Sequence, residues 1–368
     1  MQHPGTVRRV TSPRLRDLSG LGAYTPGRRP APGQQVCRLA SNEMPFPLHP
    51  HVIQAVAEAV AEANRYPDPA AGRLVAALAD RYGVEPSQVA VGCGSVQLVQ
   101  ELIQITCDAG DEVLYGWRSF EAYPTLTTVA GAVSVQVPLR DHRLDLPAMA
   151  AAVTDRTRLV LLCSPNNPTG PVLTAIEVEA FLAAVPPTVL VVLDEAYVEF
   201  VDDPAAVDGM RLLAAHPNLL VLRTFSKAYG LAGLRVGFAL ASTPEVAARL
   251  RQVHLPFAVS LAAQAAALAS LEIEVELLAQ VAAVVAEREP LRQALVGQGF
   301  VVPPAQGNFV WVAAGLDAVP LGQVLDEHGV LTRIFPGDGV RITVATAADS
   351  ARVLAATGAF AATRHDPL

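Results

Sequence analysis

The feature that most constrains the fold is a series of short apolar runs between residues 88 and 240, separated by segments with helical periodicity. The runs are apolar at successive positions, which indicates strands that are buried on both faces. Such strands, alternating with helices, predict an α/β domain with a mostly parallel seven-stranded sheet sandwiched by helices. The predicted strands are residues 88–92, 111–115, 132–138, 158–163, 188–194, 218–224 and 236–240.

The pattern changes after residue 255, where helices and strands mix and indicate a smaller α+β domain. A chain of 368 residues is long enough for two domains. We expect a large α/β domain at 40–255, and an N-terminal arm at 1–39 that joins a small domain at 256–368. The elements predicted in the small domain are helices at 257–287, 320–328 and 348–357 and strands at 308–314 and 340–346.

Charge and composition argue against several kinds of partner. The formal net charge is −8, which disfavours a nucleic-acid surface. No apolar run reaches the roughly 18 residues of a membrane span. The arginine pair at 8–9 is not followed by an apolar stretch, so we expect a cytoplasmic protein without an export signal. The four cysteines form no CxxC pair and the eight histidines show no metal spacing, so we expect buried free thiols and no metal.

Lys227 is the only lysine in the chain, beside 26 arginines. Arginine serves wherever a permanent cation is sufficient, so a position that retains lysine needs another property. A primary amine whose pKa falls on burial can form a Schiff base with a carbonyl and can act as a base. Lys227 is therefore a candidate for covalent attachment of a cofactor, with a stray solvated lysine as the alternative.

Lys227 follows directly after the predicted strand at 218–224, where open α/β sheets bind their ligands. Ser226 offers a hydroxyl donor and Arg235 a bidentate cation, a combination that suits a phosphate group. A Schiff-base lysine beside a phosphate site suggests pyridoxal 5′-phosphate.

Two other candidates end strands at the same edge. Asp194 closes the run at 188–194, and a carboxylate there can keep a pyridine nitrogen protonated, although capping the next helix is the alternative. Asn167 lies in the turn SPNNPTG at 164–170, where two prolines restrict the backbone. Its amide can hydrogen-bond the phenolic oxygen of the cofactor, or the segment can be an ordinary turn.

The segment GCGS at 92–95 leads from a strand into an amphipathic helix, with Ser95 predicted at the N-cap. Helix N-termini offer free N–H donors to a phosphate, which makes Gly94 and Ser95 candidate ligands, with a simple tight turn as the alternative. Phe120 follows the next strand, where its ring can stack on the pyridine or belong to the core.

With these residues assembled, the chain resembles the fold-type I pyridoxal-phosphate aminotransferases, in particular the histidinol-phosphate aminotransferase family. Within that family, GCGS and WRSFEAYP are similar to the actinobacterial aromatic amino acid (phenylalanine) aminotransferase branch. The motifs that carry the resemblance are LASNE (39–43), NRYPD (64–68), GCGS (92–95), WRSFEAYP (117–124), SPNNPTG (164–170), LDEAYVEF (193–200), RTFSKAYGLAGLRVGF (223–238), GNFVW (307–311) and VRITVAT (340–346).

The resemblance implies a homodimeric enzyme acting on an amino acid and a 2-oxo acid, with a role for each matching residue. The catalytic residues would be Lys227, which holds the cofactor, Asp194 at the pyridine nitrogen, and Tyr197, which with Asn167 binds the phenolic oxygen. The other cofactor contacts would come from Gly94, Ser95, Phe120, Ser226 and Arg235, with Tyr66 from the other subunit. The substrate contacts would come from Arg341 at the α-carboxylate, Asn308, Tyr24 and Arg333.

Two departures from the family pattern bear on the substrate. Val96 stands where many members carry an acidic residue, and FPGDGVRIT at 335–343 replaces a longer loop. Both favour phenylalanine, tyrosine or tryptophan, with an acceptor such as 2-oxoglutarate, over histidinol phosphate, although Arg333 and Arg28 remain candidates for a substrate phosphate. The alternatives are a histidinol-phosphate aminotransferase, a decarboxylase of the same fold and a non-catalytic cofactor-binding module.

Overall fold

The structure is a computed structural model that describes residues 36–364. The strands are β1 (Cys37–Arg38), β2 (Val89–Gly92), β3 (Glu112–Trp117), β4 (Val133–Pro138), β5 (Thr157–Cys163), β6 (Leu190–Asp194), β7 (Leu219–Thr224), β8 (Gly237–Ala241), β9 (Phe309–Val312), β10 (Val330–Leu331), β11 (Arg333–Phe335) and β12 (Gly339–Thr343). The helices are α1 (Pro50–Val60), α2 (Gly72–Tyr82), α3 (Ser95–Thr106), α4 (Ala122–Ala130), α5 (Leu146–Ala151), α6 (Ala175–Ala184), α7 (Gly209–Leu213), α8 (Pro244–Val253), α9 (Leu261–Glu272), α10 (Glu274–Gly297), α11 (Ala318–Glu327) and α12 (Ala347–Arg364).

Seven strands form the central sheet in the order β2-β8-β7-β6-β5-β3-β4. All neighbouring strands are parallel except β8, which runs antiparallel to both β2 and β7. The seven predicted strands and the mostly parallel sheet are thereby confirmed, with ends that shift by one or two residues.

The sheet separates two layers of apolar packing. Along β5, Leu159 and Leu161 pack in one buried cluster, while Val160 and Leu162 pack in the other. Successive side chains of a strand point to opposite faces, so continuous apolar runs are needed to supply both clusters. Helices α3 and α8 cover one face, and α2, α5 and α6 cover the other.

The parallel strands in the middle of the sheet end at a common edge. Asp194 at the end of β6 lies level with Cys163 of β5 and Leu222 of β7. The loops that follow these three strands therefore leave the sheet side by side, and they carry Asn167, Tyr197 and Lys227.

A second, smaller sheet follows in the order β11-β12-β9, with antiparallel neighbours. Helix α11 packs against β11 and β12, α12 packs against α11 and β10, and β1 pairs in parallel with β10. This mixture agrees with an α+β region, while the boundaries at 40–255 and 256–368 remain a prediction. Within residues 36–364, no helix is long and apolar enough to cross a membrane.

The single helix predicted at 257–287 is wrong, because two helices meet at Ile273. Phe257 has a φ of 62°, which an L-residue does not adopt inside a helix. The hydroxyl of Ser260 accepts a 3.2 Å hydrogen bond from the N–H of Ala263 and starts α9 there. Ile273 is the C-cap of α9 and the N-cap of α10, and acidic Glu274 then favours a new helix start.

Candidate active site

A cavity of about 230 Å³ lies at the carboxyl edge of the sheet and extends to β11 and β12. Its walls combine the ends of the parallel strands with two arginines from the small sheet. Ten of the residues proposed from the sequence line this cavity: Ser95, Phe120, Asn167, Asp194, Tyr197, Ser226, Lys227, Arg235, Arg333 and Arg341.

Lys227 enters the cavity from the loop after β7. Its Nζ donates a 2.9 Å hydrogen bond to the backbone oxygen of Ser41. Burial, and then the positive charges of Arg341 and Arg235, lower the pKa of Lys227 to about 7, although Glu43 opposes this shift. The amine is therefore largely neutral at slightly alkaline pH and can act as a nucleophile or a base.

Asp194 is buried at the end of β6. Oδ2 accepts a 2.6 Å hydrogen bond from the hydroxyl of Tyr123, and Oδ1 accepts one of 3.2 Å from the N–H of Ala196. Burial raises the pKa of Asp194, whereas the bond from Tyr123 opposes that rise. Asp194 caps no helix, because the 3-10 turn that follows has Tyr197 at its N-cap.

Asp194 has no ion-pair partner among the residues that the structure describes. A buried carboxylate without a cation carries a desolvation cost that a protonated ring nitrogen can offset. The geometry therefore suits the role proposed for Asp194 at a pyridine ring.

Asn167 and Tyr197 are held by a buried polar network. Arg341 donates from Nη1 to Oδ1 of Asn167, so the amide nitrogen of Asn167 is the group left to donate to a ligand. The Tyr197 hydroxyl accepts a 2.9 Å hydrogen bond from Nδ2 of Asn42. Burial raises the pKa of Tyr197 to about 12, although Arg341 acts in the opposite direction. Tyr197 therefore keeps its proton and can donate to an anionic oxygen.

The opposite end of the cavity is a cationic pocket at the start of α3. Gly94, rather than the predicted Ser95, is the N-cap of α3, and as a glycine it provides no side-chain cap. Gly94 has a φ of 77°, and a Cβ there would lie 2.7 Å from the Arg235 guanidinium. Free N–H groups, the hydroxyls of Ser95 and Ser226, and Arg235 together form a site that suits a phosphate.

Phe120 is half-buried and lines the cavity, so it is not simply a core residue. Its ring stands edge-on to Tyr123, with centroids 5.4 Å apart. Phe120 therefore packs directly on Tyr123, the residue that hydrogen-bonds Asp194.

Several proposed residues lie elsewhere. Tyr66 is 81% exposed and stacks on Phe257, outside the cavity of its own chain. Asn308 is buried behind the wall, where its Nδ2 donates a 3.0 Å hydrogen bond to the backbone oxygen of Asn42. Tyr24 and Arg28 fall outside the described residues.

The sequence interpretation missed three residues that the fold brings to the site. Asn42 is buried with a φ of 54° and also binds Thr343, which fixes its contact with Tyr197. Tyr123 binds Asp194, and Glu121 lines the cavity. Asn42 lies in LASNE, and Glu121 and Tyr123 lie in WRSFEAYP. The signal in the sequence that pointed to these three residues was their position in motifs that carry the family resemblance.

Cys163 also lines the cavity, beside Asp194. All four cysteines are free, but only Cys37 and Cys163 are buried, whereas Cys93 and Cys107 are partly exposed. Within residues 36–364, no group of three or more His, Cys, Asp or Glu side chains is arranged to hold a metal ion.

The sequence matches the family described as aminotransferase class I and II over residues 34–357. The chain belongs to this family. This aminotransferase is 52% identical over 337 residues to an aromatic amino acid aminotransferase of Streptomyces avermitilis. The match covers 91% of this chain and 94% of that protein. This chain is 54% identical over 335 residues to an aromatic amino acid aminotransferase of Rhodococcus opacus, covering 90% and 92%.

Solved structures agree on the fold of this aminotransferase. The histidinol-phosphate aminotransferase of Sinorhizobium meliloti, in complex with pyridoxal 5′-phosphate, superposes with a TM-score of 0.83 at 31% identity. The match covers 90% of this chain and 92% of that one. The chain therefore has the fold-type I architecture that the family resemblance implied.

Proposed function

We propose that this aminotransferase uses pyridoxal 5′-phosphate to move an amino group between an aromatic amino acid and a 2-oxo acid such as 2-oxoglutarate. The observation that carries the proposal is the meeting of Lys227, with its lowered pKa, and the buried Asp194 in one cavity. The names of the Streptomyces and Rhodococcus relatives support an aromatic substrate. The pyridoxal 5′-phosphate bound in the Sinorhizobium structure supports the choice of cofactor.

The described residues fit this cofactor. Gly94 leaves open the space beside the Arg235 guanidinium that a Cβ would fill, and a phosphate needs that space next to the N–H groups of α3. Asp194, which is buried and pairs with no cation among residues 36–364, matches a protonated ring nitrogen. We assign Gly94, Ser95, Ser226 and Arg235 to the phosphate.

The bound cofactor supplies a ring that accepts electrons from bonds at the substrate Cα. With the cofactor bound, the neutral Nζ of Lys227 would take the proton from the substrate Cα in one half-reaction and would return a proton to the Cα of the 2-oxo acid in the other. Arg341 binds the substrate carboxylate, and Asn167 and Tyr197 orient the ring through its phenolic oxygen. Phe120, which lines the cavity, would pack against the ring.

We also propose a cytoplasmic homodimer in which Tyr66 serves the cavity of the partner subunit. An aromatic side chain that is 81% exposed and held by stacking on Phe257 suits a contact outside its own chain. Tyr24 and Asn308 remain proposed substrate-side residues.

The second candidate function is a histidinol-phosphate aminotransferase, which the Sinorhizobium neighbour and the two cavity arginines Arg333 and Arg341 favour. A decarboxylase of the same fold would release carbon dioxide from the amino donor. A non-catalytic module would bind the cofactor without turnover.

The test is the absorbance of the cofactor-loaded protein mixed separately with phenylalanine and with histidinol phosphate, without an acceptor. We expect the band of the lysine-bound cofactor to disappear much faster with phenylalanine. The reverse order would identify the histidinol-phosphate enzyme, and carbon dioxide release would identify a decarboxylase.

A Lys227→Arg variant keeps the charge but not the nucleophile, and we expect turnover to fall at least ~10³-fold. Arg249→Lys, an exchange on the exposed face of α8, is the control. Near-normal activity in the Lys227 variant would end the proposal.

A further inference from the structure

The segment LASNE at 39–43 forms part of the cavity wall, and Asn42 within it joins three parts of the fold. Its backbone oxygen accepts a 3.0 Å hydrogen bond from Nδ2 of Asn308, which precedes β9. Its backbone N–H donates one of 3.0 Å to Oγ1 of Thr343, at the end of β12. Its Nδ2 donates one of 2.9 Å to the hydroxyl of Tyr197. Asn42 is fully buried, so these contacts replace those that water would make.

The hydroxyl of Thr343 determines which way the Asn42 amide points. It accepts the backbone N–H of Asn42, and its single proton goes to Oδ1 of Asn42 over 3.1 Å. If the amide were turned over, that proton would have no acceptor among residues 36–364. A buried hydroxyl without an acceptor is costly, so Oδ1 faces Thr343 and Nδ2 faces Tyr197.

The direction of the amide fixes the direction of the Tyr197 hydroxyl. An amide nitrogen can only donate, so the oxygen of Tyr197 must accept from Asn42 and its own proton must point elsewhere. Tyr197 is buried at the cavity, and the part of the chain between 36 and 364 offers its proton no acceptor. The proton is therefore left for a group in the cavity. A donor on the phenol oxygen also strengthens the phenol as a donor.

We infer that Asn42 is a positioning residue that directs the proton of Tyr197 to the phenolic oxygen of the bound cofactor, and that Thr343 sets the direction of Asn42. An anionic oxygen gains a charge-assisted hydrogen bond only from a hydroxyl whose proton faces it. The inference deepens the proposed function. It rests on the proposed placement of Tyr197 at that oxygen, but not on which amino acid is the substrate.

The backbone at Asn42 allows a matched substitution. Its φ is 54°, in the left-handed region that asparagine and aspartate tolerate better than other side chains. Asn42→Asp therefore keeps the shape and the backbone, but it replaces the donor Nδ2 by an acceptor oxygen. The carboxylate would accept from the hydroxyls of both Thr343 and Tyr197, which turns the proton of Tyr197 away from the cavity.

The test is a double-mutant cycle on the binding of pyridoxamine 5′-phosphate, which carries the phenolic oxygen but forms no covalent bond with Lys227. Its Kd is measured by fluorescence titration of the cofactor-free protein. The four proteins are the wild type, Asn42→Asp, Tyr197→Phe and the double variant. The charge added by Asn42→Asp is present with either residue at position 197, so the cycle isolates the effect that passes through the Tyr197 hydroxyl.

We expect Asn42→Asp to raise the Kd on the order of tenfold when Tyr197 is present, and less than about threefold in the Tyr197→Phe background. Thr343→Val removes the hydroxyl that orients the amide, and it should also raise the Kd only when Tyr197 is present. Thr343→Ser keeps that hydroxyl and should match the wild type. Asn218→Asp is the control, because Asn218 makes the same kind of amide bond, to Val189, before the start of β7 and away from the cavity.

Equal fold-changes from Asn42→Asp with and without the Tyr197 hydroxyl would overturn the inference, since a structural role alone would produce them. If circular dichroism shows that Asn42→Asp does not fold, Thr343→Val is judged by the same cycle. An unchanged Kd in Tyr197→Phe alone would overturn the placement of Tyr197, and this inference with it. A wild type that does not transaminate phenylalanine would refute only the proposed substrate.

Discussion

The hydroxyl of Tyr123 donates a 2.6 Å hydrogen bond to Oδ2 of Asp194, a residue 71 positions away. Both side chains are buried, and burial raises the pKa of each of them. Tyr123 therefore remains protonated and donates to the carboxylate, whose charged form it stabilises. The bond also fixes the direction in which Asp194 faces the cavity.

Replacing Tyr123 by phenylalanine removes this bond without leaving a large cavity. We expect the Kd of pyridoxal 5′-phosphate to rise by about tenfold, because the pKa of Asp194 rises further and its pairing with the ring nitrogen weakens. The measurement is fluorescence titration of the protein freed of cofactor. Tyr115→Phe is the control, since Tyr115 is equally buried and its ring lies 5.6 Å from that of Tyr123. Equal Kd values in the two variants would rule out this role for Tyr123.

Gly94→Ala tests the phosphate site against a matched glycine. Gly94 has a φ of 77° and Gly83 one of 65°, so alanine at either position costs about 1–2 kcal/mol in backbone strain. At Gly94 the new Cβ would lie 2.7 Å from the Arg235 guanidinium, whereas at Gly83 no atom of residues 36–364 would lie within 4 Å of it. We expect similar falls in Tm but a loss of cofactor affinity, on the order of tenfold, in Gly94→Ala alone. Equal affinity in both variants would place the phosphate elsewhere.

The lowered pKa of Lys227 predicts how the rate of cofactor attachment depends on pH. Only the neutral amine reacts, so the rate should rise about tenfold per pH unit below pH 7 and level off above it. A lysine at its usual pKa of 10.5 would show a rate that keeps rising through pH 9. Stopped-flow absorbance of the cofactor-free protein mixed with the cofactor measures this profile.

Arg341→Gln removes a positive charge that lowers the pKa of Lys227, so the midpoint of the same profile should move to higher pH. Arg249→Gln, at an exposed position, should leave the midpoint unchanged. An unshifted midpoint in Arg341→Gln would contradict the electrostatic explanation.

Removing the arginine of the buried ion pair Arg223–Glu195 should lower the free energy of unfolding far more than removing the arginine of an exposed pair. Nη2 of Arg223 donates a 2.7 Å hydrogen bond to Glu195, whose side chain is 1% exposed. Arg223→Gln leaves that carboxylate buried without its cation, and we expect the free energy of unfolding to fall by about 3–5 kcal/mol. Arg211→Gln, in a pair whose arginine is 85% exposed, should change it by no more than about 1 kcal/mol. Urea unfolding followed by circular dichroism compares the two, and equal changes would refute the prediction.

The strand pattern by itself was sufficient for the large sheet. The runs that became β5, β6 and β7 are apolar on both faces, and burial on both faces is a local property of a strand. The same reasoning located Asp194, which ends the run that became β6, and Lys227, which follows the run that became β7. The break at Ile273 was missed, because an apolar residue with a non-helical backbone leaves no mark in the periodicity.

Only the tertiary structure decided which side chains support those residues. Asn42 meets Thr343 across 301 positions, and Glu121 meets Arg333 across 212. Hydrophobic periodicity records whether a side chain faces the core, but it contains no information on which distant polar group lies opposite. The sequence alone therefore determined the fold class, the edge of the sheet where the cavity lies and the lysine that lines it. The bond from Tyr123 to Asp194 and the ion pair of Glu121 with Arg333 depend on how separate segments pack, and packing depends on the whole chain.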